Sequence, residues 1–328
     1  MKIVFFGTSE FGAIILEKLI QAGMSPVLVV TTPDKPAGRK QELTPPPVKV
    51  CANTHSIEVF QPEKLDHDAV RFMQEKNPDL FVVAAYGKIL PKEILDIPRC
   101  GSLNVHPSLL PKYRGASPIQ TALLDGEDKT GVTIILMDEK VDHGPVIADT
   151  KYQILNTKYT YGELHNKLAQ IGAELLIKTI PDWIAGRIKP VPQDENKATY
   201  TKIFKKEDGR IDWNKEAEYI ERQVRALNPW PGTFTAFKNR SLKILKALVF
   251  PENLAKPSYP QLGLAKLSPK LSPKFSSGTV FLTAERKLGI QCGKDALVVE
   301  ELQMEGGKPM SSKEFLLGHK NFIGTILC

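Results

Sequence analysis

Cysteine is scarce and scattered. The four present, Cys51, Cys100, Cys292 and Cys328, include no Cys-x-x-Cys pair. Neither a zinc ribbon nor a disulfide framework is indicated, and a reducing cytoplasm is the expected setting. Long apolar runs are missing as well. The longest, Leu80 to Tyr86, falls far short of the roughly 20 residues that cross a bilayer. Lys2 is followed by only Ile3-Val4-Phe5-Phe6 before Gly7, too little for a signal-peptide core. The expectation is a cytoplasmic protein, neither secreted nor membrane-inserted. Nucleotide fingerprints are absent too. Gly7 and Gly12 have the outer spacing of G-x-G-x-x-G, but Ser9 takes the middle position. Ala13-Ile14 stand after Gly12 where a phosphate loop carries Lys-Ser/Thr. NAD and ATP are therefore not expected as cofactors.

What is there begins with length. A chain of 328 residues suggests two domains, each with its own core. Hydrophobic content of 42% and charged content of 25% belong to a globular protein. The net charge of +7 is unevenly spread, because residues 201–328 hold 21 Lys/Arg against 13 Asp/Glu. A basic second half on a neutral first half suggests a polyanionic partner such as nucleic acid; charge scattered for solubility is the competing reading.

The opening strand Lys2-Ile3-Val4-Phe5-Phe6, a helix with Phe11, Ile14, Ile15, Leu16 and Leu19 at helical spacing, and a strand Val27 to Thr31 make a β-α-β unit. That implies a Rossmann-like parallel sheet. Further strands are expected over Asp79 to Tyr86, Leu103 to His106 and Val132 to Met137, with a capping helix from Tyr161 to Ile180. Thr32 to Lys40 is a loop of turn-formers with three cations, either a contact arm or a plain solvated loop. The catalytic domain is expected to span 1–188, followed by a linker over 189–206 where Pro190, Pro192 and a polar run interrupt the pattern. Residues 207–328 then read as one helix and five short strands, a small barrel of the OB type. A Pro/Lys-rich insert over 252–277, with Leu-Ser-Pro-Lys repeated, is expected to be a flexible loop.

The chemistry concentrates in Gly101 to Gly115, GSLNVHPSLLPKYRG. A short strand delivers Asn104 and His106 into a turn stiffened by Pro107 and Pro111. Alone, this reads either as a buried polar strand end or as a site on a scaffold. Asp142 follows the next strand, which is expected to run parallel and to bring its carboxylate to the same sheet edge. Asn, His and Asp can support acyl transfer without a covalent intermediate: Asn104 and protonated His106 donate to an oxyanion, and Asp142 orients His106 and helps move the proton. A serine or cysteine nucleophile activated by a histidine is not expected, so no covalent intermediate is implied. Metal ligation by His106, His143 and Asp142 lacks paired spacing, so no metal is expected and His143 reads as a bystander.

The run Asn104 to Gly115 followed by Asp142-His143-Gly144 resembles the signature of the folate-dependent formyltransferases. With TTPDKPAGR (31–39), KEDGRIDW (206–213) and NPWPG (228–232), the likeness sharpens to the methionyl-tRNA formyltransferase branch. The resemblance implies that 10-formyltetrahydrofolate donates its formyl group to the α-amino group of methionine on initiator tRNA. It also implies catalytic roles for Asn104, His106 and Asp142, and a folate site lined by Ser108, Leu109, Leu110 and Pro111. Arg39 and Lys40 fall in the matching insertion loop; the cluster Lys202, Lys205 and Lys206 joins them as expected tRNA contacts. Lys40 stands where the family often has glycine, and the Pro/Lys insert has no counterpart. The expected enzyme is a monomer. A nucleotide-sugar formyltransferase shares the same core, and a non-catalytic RNA-binding relative is the reading from another class.

Overall fold

Strands with every residue buried identify the centre of the first unit in the computed structural model, which describes residues 1–38, 41–154, 158–250 and 275–328. β1 (Ile3–Gly7) and β4 (Leu80–Ala84) are buried along their whole lengths, as parallel strands covered on both faces must be. Between them in sequence lie β2 (Leu28–Val30) and β3 (Val59–Phe60); after them come β5 (Ser102–His106), β6 (Lys129–Leu136) and β7 (Val146–Gln153). The spatial order of this seven-stranded sheet is β7-β6-β5-β4-β1-β2-β3. The first five strands in sequence pair in parallel.

α1 (Glu10–Gln21) buries Phe11, Ile15, Leu16 and Leu19, the helical stripe expected from the sequence. α2 (Tyr161–Ile184) starts at a capping box between Thr160 and Glu163 and buries Leu164, Leu168, Ala173 and Leu176. Its Gly172 faces β5 so closely that a Cβ there would lie 2.8 Å from Val105 Cγ1. Strand alternation then puts Leu103 and Val105 under the helix and turns Asn104 and His106 to the opposite face.

One strand departs from expectation. β6 pairs antiparallel with β5, with Thr133 opposite His106 and Leu136 opposite Leu103. The 107–128 segment does not cross the sheet as a parallel connection would. It folds back at the end of β5, where Thr133 Oγ1 donates to Ser108 O at 2.7 Å and accepts from Leu110 N at 3.1 Å. Asp142 therefore comes from the β6–β7 connection, not from the end of a parallel neighbour.

Contacts divide the described chain into Met1–Ala122 with Glu127–Ile203, and Leu123–Gly126 with Phe204–Cys328. Residues 189–203, the bulk of the expected linker, thus group with the first unit. Val191 pairs with Val146, and Tyr200–Thr201 pairs in parallel with Arg114–Gly115. The segment has little structure of its own; its backbone is satisfied by earlier parts of the chain.

In the second unit α3 (Ala217–Leu227) packs on a curled antiparallel sheet. Its strands are β8 (Thr233–Phe237), β9 (Arg240–Phe250), β10 (Val280–Leu282), β11 (Leu288–Gln291) and β12 (Ala296–Met304), in the order β8-β9-β12-β11-β10, and a two-residue β13 (Met310–Ser311) also pairs with β12. Register shifts near Lys246 mark irregularities in β9 of the kind that bend a strand. Trp213, Ile220, Leu242, Ile244, Leu297, Val299, Phe315 and Phe322 fill its core. This is the half-barrel form of the small barrel expected from five short strands. Of the Pro/Lys insert, residues 252–274 lie outside the described residues.

Candidate active site

β5 brings Asn104 and His106 to one face, and the β6–β7 connection brings Asp142 to them. Asn104 Nδ2 donates to Asp142 Oδ1 at 3.0 Å. The amide has a second hydrogen that this bond leaves for a ligand. Asp142 Oδ2 accepts the backbone N–H of Gly115 at 2.8 Å and lies 3.5 Å from His106 Nδ1. The His106 and Asp142 side chains are only 5% and 12% exposed, so the carboxylate acts where water screens it little.

His106 Nε2 sits 2.9 Å from Tyr113 O. A carbonyl can only accept, so Nε2 carries a hydrogen and Nδ1 is the nitrogen on the Asp142 side. Nε2 is thus taken by Tyr113 O, and Nδ1 faces Asp142. Tyr113 and Asp142 both have positive φ, at 63° and 49°. Such non-glycine positions are uncommon and cluster where surrounding structure enforces them.

Ser108 is fully buried and its hydroxyl donates to Lys112 O at 2.7 Å. Its hydroxyl therefore shapes the turn. Leu109, Leu110 and Pro111 are half-buried around a cis Leu110–Pro111 peptide. Lys202, Lys205 and Lys206 are exposed; Arg39 and Lys40 lie outside the described residues.

The sequence reading missed Arg114, Gln193, Glu195 and Tyr200. Arg114 is wholly buried and forks onto Glu195 at 2.6 and 3.0 Å, with Gln193 Oε1 at 2.8 Å and Tyr200 OH at 3.1 Å. Glu195 holds the guanidinium above its ordinary pKa despite burial, and Arg114 holds the Glu195 carboxyl below the usual carboxylate range. The signal was the arginine near the end of the Asn104–Gly115 run, since an arginine buried there needs an acid from elsewhere. His143 joins this network: its Nδ1 meets Asp138 Oδ2 at 2.5 Å and its Nε2 faces Glu195 at 3.6 Å.

Burial pushes the Cys51 and Cys292 thiols up to about 12, far from the thiolate a nucleophile requires. Among the described residues, Glu17, Cys51 and His55 form a group whose donor atoms lie within 4.8 Å of one another, close enough for a metal ion. They already bond to each other, His55 Nε2 to Glu17 Oε2 at 2.7 Å and Cys51 Sγ to Glu17 Oε2 at 3.5 Å.

Gly144 tests the loop. A Cβ there would fall 1.8 Å from Leu136 O, so alanine must push the connection away from β6 and move Asp142 with it. Gly144→Ala is expected to lower kcat about 10²-fold, the scale of a 1 Å misplacement. Steady-state kinetics together with a thermal melt check whether the loss is catalytic.

The α/β sheet, with Asn104 and His106 on β5 and Asp142 brought to them by the β6–β7 connection, belongs to a chain of the formyl transferase class. The family model described as formyl transferase matches residues 1–180, and the model for its C-terminal domain matches 203–320. Methionyl-tRNA formyltransferase from Halalkalibacterium halodurans is 42% identical, over 100% of this chain and 98% of that protein. The one from Chloroflexus aurantiacus is 43% identical, over 97% of each. The chain belongs to the methionyl-tRNA formyltransferase family. Among solved structures, an N-formyltransferase from Helicobacter canadensis in complex with folinic acid and dTDP-3-aminofucose matches with TM-score 0.61 at 18% identity. It covers 91% of this chain and 99% of that one. HypX from Aquifex aeolicus in complex with tetrahydrofolic acid gives TM-score 0.61 at 17% identity, over 96% of this chain and 47% of that one. These two likenesses concern the fold.

Proposed function

We propose that the protein transfers the formyl group of 10-formyltetrahydrofolate to the α-amino group of methionine on initiator methionyl-tRNA. The observation that carries this is full-length likeness to enzymes of that name, joined to an Asn-His-Asp cluster with free donor capacity. The amine attacks the formyl carbon, and the oxygen turns from carbonyl to oxyanion. The second N–H of Asn104 stabilises that charge, the kind of preorganised donor worth about 10²–10³ in rate. The attacking nitrogen must lose a proton and the leaving nitrogen of the folate must gain one. His106 Nδ1, backed by Asp142, is the group placed to carry it. The turn Ser108 to Pro111 presents apolar surface for the donor, with the Ser108 hydroxyl holding its shape.

The acceptor falls to the basic part of the chain. Arg39, Lys40, Lys202, Lys205 and Lys206 are proposed as phosphate contacts, and the second unit as the tRNA-binding domain. Phosphate contacts release counterions, so each one steepens the salt dependence by roughly 0.7–0.9 in log K per log salt. The test is incubation with formyl donor and charged initiator tRNA, reading out formyl-methionine at rising salt. Product formation that weakens steeply with salt is expected. A flat salt response, or turnover of an amino-sugar nucleotide in place of tRNA, overturns the reading.

A further inference from the structure

We propose that Gln193, held by Arg114 and Glu195, is a positioning residue for Asp142, so that the segment once read as a linker completes the active site. Gln193 Nε2 donates to Asp142 O at 2.9 Å and to Gly144 O at 2.8 Å. Its Oε1 accepts from Arg114 Nε at 3.1 Å and Nη2 at 2.8 Å. Both hydrogens and both lone pairs of one amide are used. The amide cannot be turned round without setting its NH2 against the guanidinium and its oxygen against two carbonyls, so the network itself fixes the orientation.

Each link has a reason. Asp142 stands at φ 49° in a connection nine residues long, an uncommon conformation for a residue other than glycine. Holding the carbonyls of Asp142 and Gly144 fixes the backbone on both sides of His143. The Asp142 carboxylate is then left facing Asn104, Gly115 and His106. Gln193 could not serve if it moved, and it is anchored by a guanidinium with no exposed surface. Arg114 is anchored in turn by the two-pronged pair with Glu195. Glu195 also faces His143 on the held connection, whose other ring nitrogen meets Asp138. Backbone bonds lock the supplying segment: Arg114 N donates to Thr199 O at 2.8 Å, and Tyr113 N to Thr199 Oγ1 at 2.8 Å. Arg114 and Asp142 lie on different strand connections, and Gln193 is the side chain that couples them.

Gln193→Glu separates this role from a merely structural one. The carboxylate keeps both acceptors for Arg114, so the anchor survives, but it sets oxygen against the two carbonyls it should bond. Expected is a fall in kcat of about 10–100-fold, the scale of a misplaced catalytic group. KM for folate donor and for tRNA should stay within about threefold. Only this kinetic arm rests on the proposed formyl transfer. A second arm needs no substrate: the nitrogen NMR resonance of His106 Nδ1, which senses the Asp142 carboxylate, should move in Gln193→Glu relative to the unmodified protein. A shifted resonance in a chain that fails to formylate tRNA leaves the positioning role standing and removes the functional reading. An unshifted resonance with unchanged kcat overturns the positioning role. If Gln193→Glu does not fold, Gln193→Met, which keeps the length of the side chain and removes all four bonds, is read by the same two measurements.

Discussion

Asp142→Asn is expected to lower kcat for formyl transfer by about 10³–10⁴-fold, the scale seen when a buried carboxylate that orients a catalytic histidine becomes an amide. The substitution changes hardly any volume, so the loss is one of chemistry. Asp142 accepts Asn104 Nδ2 on one oxygen and Gly115 N on the other. An asparagine has a single acceptor oxygen. Whichever way it turns, its NH2 meets another N–H donor, and a buried donor is left without a partner. The charge facing His106 Nδ1 disappears at the same time. Steady-state kinetics should place the loss in kcat, with KM for both substrates within about threefold. A loss smaller than about tenfold would remove Asp142 from the chemistry, since that is less than one positioned donor contributes.

Phe315→Ala, in the other unit, should cost about 3–5 kcal/mol of stability. Phe315 has no exposed surface. Its ring stacks on His319 with centroids 4.1 Å apart and meets Phe322 edge-on at 5.1 Å, while Phe322 meets Phe237 at 4.7 Å. Removing it leaves a cavity lined by rings that cannot close around it. Denaturant unfolding followed by the fluorescence of Trp213, which lies in this same core, should show the midpoint fall. A change below about 1 kcal/mol would mean that the ring cluster is not what holds this unit together, because even a small core truncation costs that much.

How much of this was legible in the sequence depends on how local each cause is. β1, α1 and β5 were readable because apolar period and turn chemistry are written in consecutive residues. The five short strands of the second unit were readable for the same reason, and β8 was located to the residue. Asn104, His106 and Asp142 were found together because few side chains can meet an oxyanion and move a proton. The direction of β6 was not readable. A strand looks the same in either direction, and what decided it was Thr133 reaching back to the turn at Ser108 and Leu110. Gln193 and Glu195 were hidden for a different reason. Proline and polar residues read as linker when a segment must satisfy itself, but this one is satisfied by residues some 80 positions earlier.

That separation has a consequence for how the molecule is made. Chains emerge from the ribosome amino end first, at about 5–20 residues per second. When Ile180 has been added, every strand of the seven-stranded sheet exists, yet Arg114 has no counter-charge and the Asp142 connection has no clamp. Both arrive with Gln193 and Glu195, and the strand that seals them, Tyr200–Thr201, comes last. The catalytic half is therefore not a finished object at the end of its last helix. The burial of the Arg114 guanidinium waits for one more short stretch of synthesis.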